Sequence, residues 1–306
     1  MLAVLCPGQG AQTPGMLSPW LELGSVANHL AALSEATNVD LVAHGTVSDA
    51  DKIRDTAVAQ PLLVASALIT GRELLGDTVP ASAVVAGHSV GEFAAVALAG
   101  VLTDAEAMRL VTVRGAAMAA AAAASEATSM AAVLGGDPDA VAAALAALNL
   151  TPANVNGGGQ VVAAGAKSAI AQLVANPPER TRVIELQVAG AFHTHYMSPA
   201  VDALAAAASD VSPTQPLSTL LSNADGAPVA SGDDAVARLV RQVANPVRWD
   251  LCMERMLDLG VTGIIEVAPG GVLTGLAKRV MKGVPAVALK TPDDLAAARE
   301  LMEEHA

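Results

Sequence analysis

Residues 83–92 read Ala83-Val84-Val85-Ala86-Gly87-His88-Ser89-Val90-Gly91-Glu92, and the fold is read outward from them. The apolar run Ala83–Ala86 has the length and branching of a buried strand. It breaks at Gly87, and a helical pattern runs from Val90 to Gly100. Between them lies Gly87-x-Ser89-x-Gly91, the pattern of a nucleophile elbow. A strand that turns directly into a helix strains the turn residue and lifts its side chain clear of the sheet. Glycines flank that residue because side chains there would collide. Ser89 then stands at a helix N-terminus, where free backbone N–H groups favour a developing oxyanion.

Around this unit the chain alternates strand and helix. Residues 2–6 read as a strand and Pro7-Gly8-Gln9-Gly10 as a tight loop, followed by short helices at Leu17–Leu23 and Val26–Ala36. A longer helix is expected from about Val58 to Leu75, with Pro61 in its first turn. Thr103-Asp104-Ala105-Glu106 is a capping box, opening a helix that carries Arg109 and Arg114 into an alanine run. From Ser129 the order changes. Strands at Ser129–Leu134, Ala153–Asn156, Gln160–Ala164 and Thr181–Val188, with helices at Asp137–Leu148 and Ser168–Asn176, give a ferredoxin-like βαββαβ pattern. Alternation then resumes, with strands at Leu217–Ser222, Gly263–Val267 and Val284–Leu289. Helices are expected near Met197–Ala208, at Asp233–Val243 and Trp249–Asp258, from Pro269-Gly270-Gly271 to Met281, and at Asp293–Glu304. The expected fold class is therefore α/β: an α/β-hydrolase-like catalytic domain with a parallel sheet, residues 1–127 and 190–306, holding a small ferredoxin-like subdomain at 128–189. Parallel sheets place their sites at the carboxyl ends of the strands, where the elbow lies.

Composition narrows the function. Hydrophobic residues make up 53% of the 306 and charged residues only 15%, enough for a large core. No uninterrupted apolar run reaches the ~18 residues of a membrane span, and Met1–Cys6 lacks the basic start of a signal peptide. Cys6 and Cys252 sit in apolar surroundings and read as reduced core thiols, which points to a cytoplasmic protein. The net charge of −13 speaks against nucleic acid or an anionic membrane surface as partner. Lys278, Arg279, Lys282 and Lys290 form the one notable basic cluster. No His/Cys/Asp/Glu set has metal-ligand spacing, so no metal is expected.

A serine needs a base to become a nucleophile. Of the six histidines, His29, His44 and His305 read as surface residues and His88 as structural. His193 and His195 remain, and their positions alone do not choose between them. A triad would ask for a carboxylate between Ser89 and His193, but Asp104, Asp137, Asp139 and Glu185 each have a local explanation. Val90 N–H, next to the nucleophile, is one expected oxyanion donor, and the Gly8-Gln9-Gly10 loop should supply the second. Arg114, in an apolar helix of a charge-poor chain, needs an anionic partner. That partner is either a substrate carboxylate or an internal residue such as Glu92 or Asp104.

Gly87-His88-Ser89-Val90-Gly91-Glu92, the Pro7-Gly8-Gln9-Gly10 opening and Gly190-Ala191-Phe192-His193 together resemble the malonyl-CoA:acyl carrier protein transacylases. That family includes the acyltransferase domains of polyketide synthases, and the similarity runs from residue 4 to about residue 292. It implies that His193, in Phe192-His193-Thr194-His195-Tyr196-Met197-Ser198-Pro199, is the base, with His195 at a variable position. A main-chain carbonyl near Gln242, ahead of Asn245-Pro246-Val247-Arg248-Trp249, would hold its ring. The resemblance further implies Gln9 N–H as second oxyanion donor and Arg114 as the group that binds a malonyl carboxylate. Phe192 would mark malonyl selectivity, and Asn154 and Asn156 would line the pocket. Ala119, where many relatives have glutamine, is a departure.

The expected activity is a ping-pong transfer of malonyl from coenzyme A to the phosphopantetheine thiol of an acyl carrier protein, for fatty acid or polyketide synthesis. No bound cofactor is expected, and a monomer is the default. The alternatives are an esterase or thioesterase of α/β-hydrolase type and a non-catalytic module that binds carrier protein.

Overall fold

The first strand, β1 (Leu2–Cys6), is buried from end to end in the computed structural model, which describes residues 1–305. Alternate residues of a strand face opposite ways. Val4 and Cys6 enter one hydrophobic core and Ala3 and Leu5 another, so helices cover both faces of the sheet. That two-sided burial is why the strand reads as an unbroken apolar run.

Five helical segments and a second strand follow. They are α1 (Gly24–Thr37), α2 (Leu41–Thr46), α3 (Ala50–Arg54), α4 (Thr56–Leu75), β2 (Val84–Gly87) and α5 (Gly91–Leu98). α6 (Asp104–Ala124) opens on the expected Thr103/Glu106 capping box and continues through the alanine run. α2 and α3 escape the periodicity reading because they are only six and five residues long. In place of a helix over Leu17–Leu23 there is one 3₁₀ turn at Trp20–Glu22, with Pro19 as its N-cap. α4 starts earlier than expected, because the Asp55 carboxylate accepts the Ala57 N–H and caps it. Pro61 therefore lies inside the helix, not in its first turn, where its missing N–H forgoes one helical bond. α4 and α6 are long and apolar enough to cross a membrane on length and composition, yet the apolar window of α4 is 83% buried inside the protein.

The middle of the chain forms its own sheet from β3 (Thr128–Gly135), α7 (Pro138–Ala147), β4 (Thr151–Gly157), β5 (Gln160–Ala166), α8 (Lys167–Ala175) and β6 (Thr181–Glu185). The element order is β-α-β-β-α-β, with β3 between β5 and β6 and β4 beyond β5. α7 and α8 close a separate small core with Ala131, Val133 and Ala163.

The chain then runs through α9 (Ser198–Ala208), β7 (Thr219–Leu220), α10 (Gly232–Gln242), β8 (Val247–Arg248), α11 (Trp249–Asp258), β9 (Gly263–Glu266), α12 (Val272–Val280), β10 (Ala286–Ala288) and α13 (Leu295–His305). The main sheet has the order β10-β9-β1-β2-β7, all parallel. β6, β7 and β10 are shorter than their apolar runs suggest. Each is a sheet edge with a neighbour on one side only. β8 was not expected at all. It pairs parallel with β4, so a two-residue strand from the late part of the chain becomes the outer strand of the small sheet.

Candidate active site

The elbow has the geometry its glycines imply. Ser89 is held at φ +53°, in the left-handed region that side chains seldom occupy. A Cβ on Gly87 would overlap the backbone of Gly91 and Glu92, and one on Gly91 the carbonyl oxygen of Cys6. Strand β1 passes that close because it is the hydrogen-bonded neighbour of β2. The glycine spacing is thus a packing requirement of the turn.

Ser89 Oγ lies 2.6 Å from His193 Nε2. His193 is buried, itself at φ +60°, and its Nδ1 donates to the carbonyl oxygen of Gln242 at 2.9 Å. A carbonyl can only accept, so Nδ1 carries the proton and Nε2 is left free to accept from the serine hydroxyl. Burial and the nearby Arg114 guanidinium push the imidazole down to about 3, so it is neutral at physiological pH. The place of a triad carboxylate is filled by a main-chain oxygen. His195 is exposed and packs against Tyr196, away from the serine.

Ser89, His193, Gln9, Arg114, Phe192, Asn154 and Asn156 line one cavity of about 470 Å³, between the carboxyl ends of the parallel strands and the small sheet. No protein acceptor takes the Gln9 or Val90 N–H among the described residues, leaving both free for a ligand. The glycine loop is pinned by Gln12, whose Oε1 accepts the Gly10 N–H and whose Nε2 donates to Ile53. His88 also reaches the cavity. Its Nε2 bonds Asn156 Oδ1 at 2.9 Å, tying the elbow to the small sheet.

Arg114 is 1% exposed and makes no ion pair among the described residues. Nη1 donates to Gln60 Oε1 at 2.6 Å and Nη2 to Gln242 Oε1 at 2.8 Å, while Nε has no partner. Burial lowers its pKa to about 10, so it stays charged near neutrality. Of the two internal partners considered, Glu92 acts on it only at a distance. Asp104 instead pairs with Arg72 at 2.7 Å and with His29 at 3.1 Å, so His29 is a structural ligand and not surface decoration. Two neutral amides thus hold a charged guanidinium at the cavity wall with donors to spare. That arrangement suits an incoming carboxylate.

Gln242 does not line the cavity. It stands behind Arg114 and His193 and connects them. Three further residues were missed from the sequence. Gln60 holds Arg114, and as a lone amide in an apolar helix it carried the same signal as Arg114. Asn223 is fully buried. Its Oδ1 accepts the Ser89 N–H at 2.7 Å and its Nδ2 donates to Gly87 O at 2.8 Å, fixing the elbow from the neighbouring strand end. Its signal was a polar residue at the carboxyl end of an apolar run. Glu92, weighed only as a partner for Arg114, is 4% exposed and accepts from Asn223 and Gln242.

The model of the acyl transferase domain family matches residues 4–293. The chain is 51% identical over 297 residues to the malonyl CoA-acyl carrier protein transacylase of Mycobacterium tuberculosis H37Rv, covering 96% of this chain and 98% of that one. It is 36% identical over 305 residues to the Escherichia coli K12 protein of the same name, covering 98% and 99%. Among solved structures, MCAT from Mycobacterium tuberculosis superposes with a TM-score of 0.93 at 50% identity, over 98% of this chain and 99% of that chain. A malonyl-transacylase in complex with its type II PKS acyl-carrier protein superposes at 0.90 with 32% identity, over 98% and 99%. Taken with the elbow, the paired histidine and the buried arginine, this places the chain in the acyl transferase family, among the malonyl CoA-acyl carrier protein transacylases.

Proposed function

We propose that the protein transfers a malonyl group from coenzyme A to the phosphopantetheine thiol of an acyl carrier protein, as the names of its relatives state for them. The observation that carries this reading is the Ser89–His193 contact at a cavity whose wall presents the spare donors of Arg114. Ser89 Oγ attacks the thioester carbonyl while its proton passes to His193 Nε2. The oxyanion rests on the Gln9 and Val90 amides, each such donor being worth about 10²–10³ in rate. The C–S bond then breaks, and His193 returns the proton to the departing thiolate. In the second half His193 takes the proton of the carrier thiol, the sulfur attacks the acyl carbonyl, the C–O bond to Ser89 breaks, and His193 returns the proton to Ser89 Oγ. Arg114 binds the malonyl carboxylate, with Phe192, Asn154 and Asn156 shaping the acyl pocket. No resident cofactor takes part in these steps.

The same reading treats residues 1–127 and 190–306 as an α/β-hydrolase-like catalytic domain and 128–189 as a ferredoxin-like subdomain, in a monomeric cytoplasmic protein. Both substrates are anionic and the chain carries −13, so the binding face must be locally basic. Helix α12 supports this. Leu273 and Leu276 line the cavity, and its last turn carries Lys278 and Arg279. The test is to supply malonyl-CoA with and without a holo carrier protein. Transfer to the carrier that outpaces release of free malonate is expected. Hydrolysis at the same rate with or without the acceptor would make the protein a thioesterase.

A further inference from the structure

Behind Arg114 the side-chain amide of Gln242 is a junction with fixed polarity. One end of an amide only accepts and the other only donates. Arg114 Nη2 can only donate, and it meets Gln242 Oε1 at 2.8 Å. The carbonyl oxygen of Ser89 can only accept, and it lies 2.9 Å from Gln242 Nε2. The second hydrogen of that NH₂ goes to Glu92 Oε2 at 2.5 Å. The other oxygen of Glu92 accepts the Asn223 N–H at 2.6 Å. Both oxygens of this buried carboxylate are therefore spent on donors, and one of those donors is the amide that faces Arg114, whose NH₂ Glu92 and the Ser89 carbonyl together draw away from the guanidinium.

A buried carboxylate is an expensive way to fill space, since desolvation penalises its charged form. Burial pushes Glu92 up to about 7, against the pull of Asn223 N–H, Gln242, Arg114 and Arg238. A neutral side chain of the same size would avoid that penalty. What a neutral amide cannot do is accept at both ends. We propose that Glu92 is a positioning residue for acyl selection: by fixing the Gln242 amide it keeps an acceptor on Arg114 and so aims the guanidinium at the substrate carboxylate. This rests on the reading above that Arg114 binds that carboxylate.

Glu92→Gln is nearly isosteric and replaces one acceptor by a donor. The backbone N–H of Asn223 cannot turn away, whereas the Gln242 amide rotates about a soft terminal torsion. The new side chain therefore gives its oxygen to Asn223 and its NH₂ to Gln242. The new NH₂ then faces the Gln242 NH₂, and Gln242 either shifts away from it or turns over at the cost of its bond to the Ser89 carbonyl; both displace Oε1 from Arg114. The guanidinium loses its acceptor and its aim. Only an acyl group bearing a carboxylate depends on that aim.

The experiment measures kcat/KM for malonyl-CoA and acetyl-CoA in the wild type, Glu92→Gln and Arg114→Ala, at a pH well above 7, with thermal midpoints alongside. The malonyl-to-acetyl ratio should fall on the order of tenfold or more in Glu92→Gln, as for a hydrogen bond to a charged group, mainly through KM for malonyl-CoA. A role in stability alone would lower both donors together, and an unchanged ratio overturns the proposal. If Glu92→Gln does not fold, Glu92→Ala frees the amide without opposing it, and an unchanged ratio there overturns the proposal equally. Arg114→Ala separates the two levels. If it keeps the malonyl preference, the reading of Arg114 falls. If it loses the preference while the Glu92 variant keeps it, only the role of Glu92 falls.

Discussion

The carbonyl oxygen of Gln242 stands 2.9 Å from Nδ1 of His193 and decides the state of that ring. Because the oxygen can only accept, the imidazole is locked as the Nδ1–H tautomer with Nε2 facing Ser89 Oγ. A main-chain oxygen bears no full charge, so it orients the ring without stabilising an imidazolium as a triad aspartate would.

A titration follows from this. Burial, reinforced by Arg114, depresses the His193 pKa to about 3, far below the ordinary value of 6.5. NMR of the ring nitrogens should show a neutral imidazole throughout pH 5–8, whereas a transition near 6.5 would contradict the buried geometry. The sign for stability is fixed as well. Unfolded histidine takes up its proton near 6.5 and the folded ring does not, so this group lowers stability as pH falls from about 6.5 towards 3.

The two neighbouring histidines should separate cleanly. His193→Ala removes the imidazole bonded to Ser89 and should lower kcat by about 10²–10⁴-fold, the usual effect of a general base. His195→Ala removes an exposed ring packed on Tyr196 and should change kcat little. Steady-state rates of both variants check this, and equal losses would move the base elsewhere.

Arg114→Ala leaves the malonyl carboxylate facing two amide oxygens, those of Gln60 and Gln242. Breaking a buried charged pairing costs about 3–5 kcal/mol, so kcat/KM for malonyl-CoA should fall at least a hundredfold, as 1.36 kcal/mol is tenfold in rate. Transfer from acetyl-CoA, which has no carboxylate to lose, should hold level or rise. A purely structural arginine would depress both rates and the thermal midpoint together.

What the sequence disclosed follows the physics of each element. β1, β2 and β9 lie inside the main sheet, covered on both sides, so their apolar runs match the strands to within one residue at each end. The edge strands β6, β7 and β10 stop earlier, β10 level with the end of its single neighbour β9 and β6 and β7 before β3 and β2 end, and no run of side chains records those limits. The elbow was legible because its glycines answer a local steric demand. Arg114 was legible as a charge in need of a partner, but the partner's identity was not. Gln60, Gln242, Glu92 and Asn223 are single polar residues with no period, joined across gaps such as the 131 positions between Glu92 and Asn223. Only the fold brings them to one point.

The central claim is that Ser89 carries the acyl group. Intact-mass spectrometry after brief mixing with malonyl-CoA, on the wild type and Ser89→Ala side by side, tests it most directly. The wild type should gain one malonyl group, located on the peptide that contains Ser89 and discharged on adding holo carrier protein. Ser89→Ala should fold and gain nothing. A malonyl adduct that persists in Ser89→Ala, or a wild type that transfers malonyl without forming one, would contradict the account.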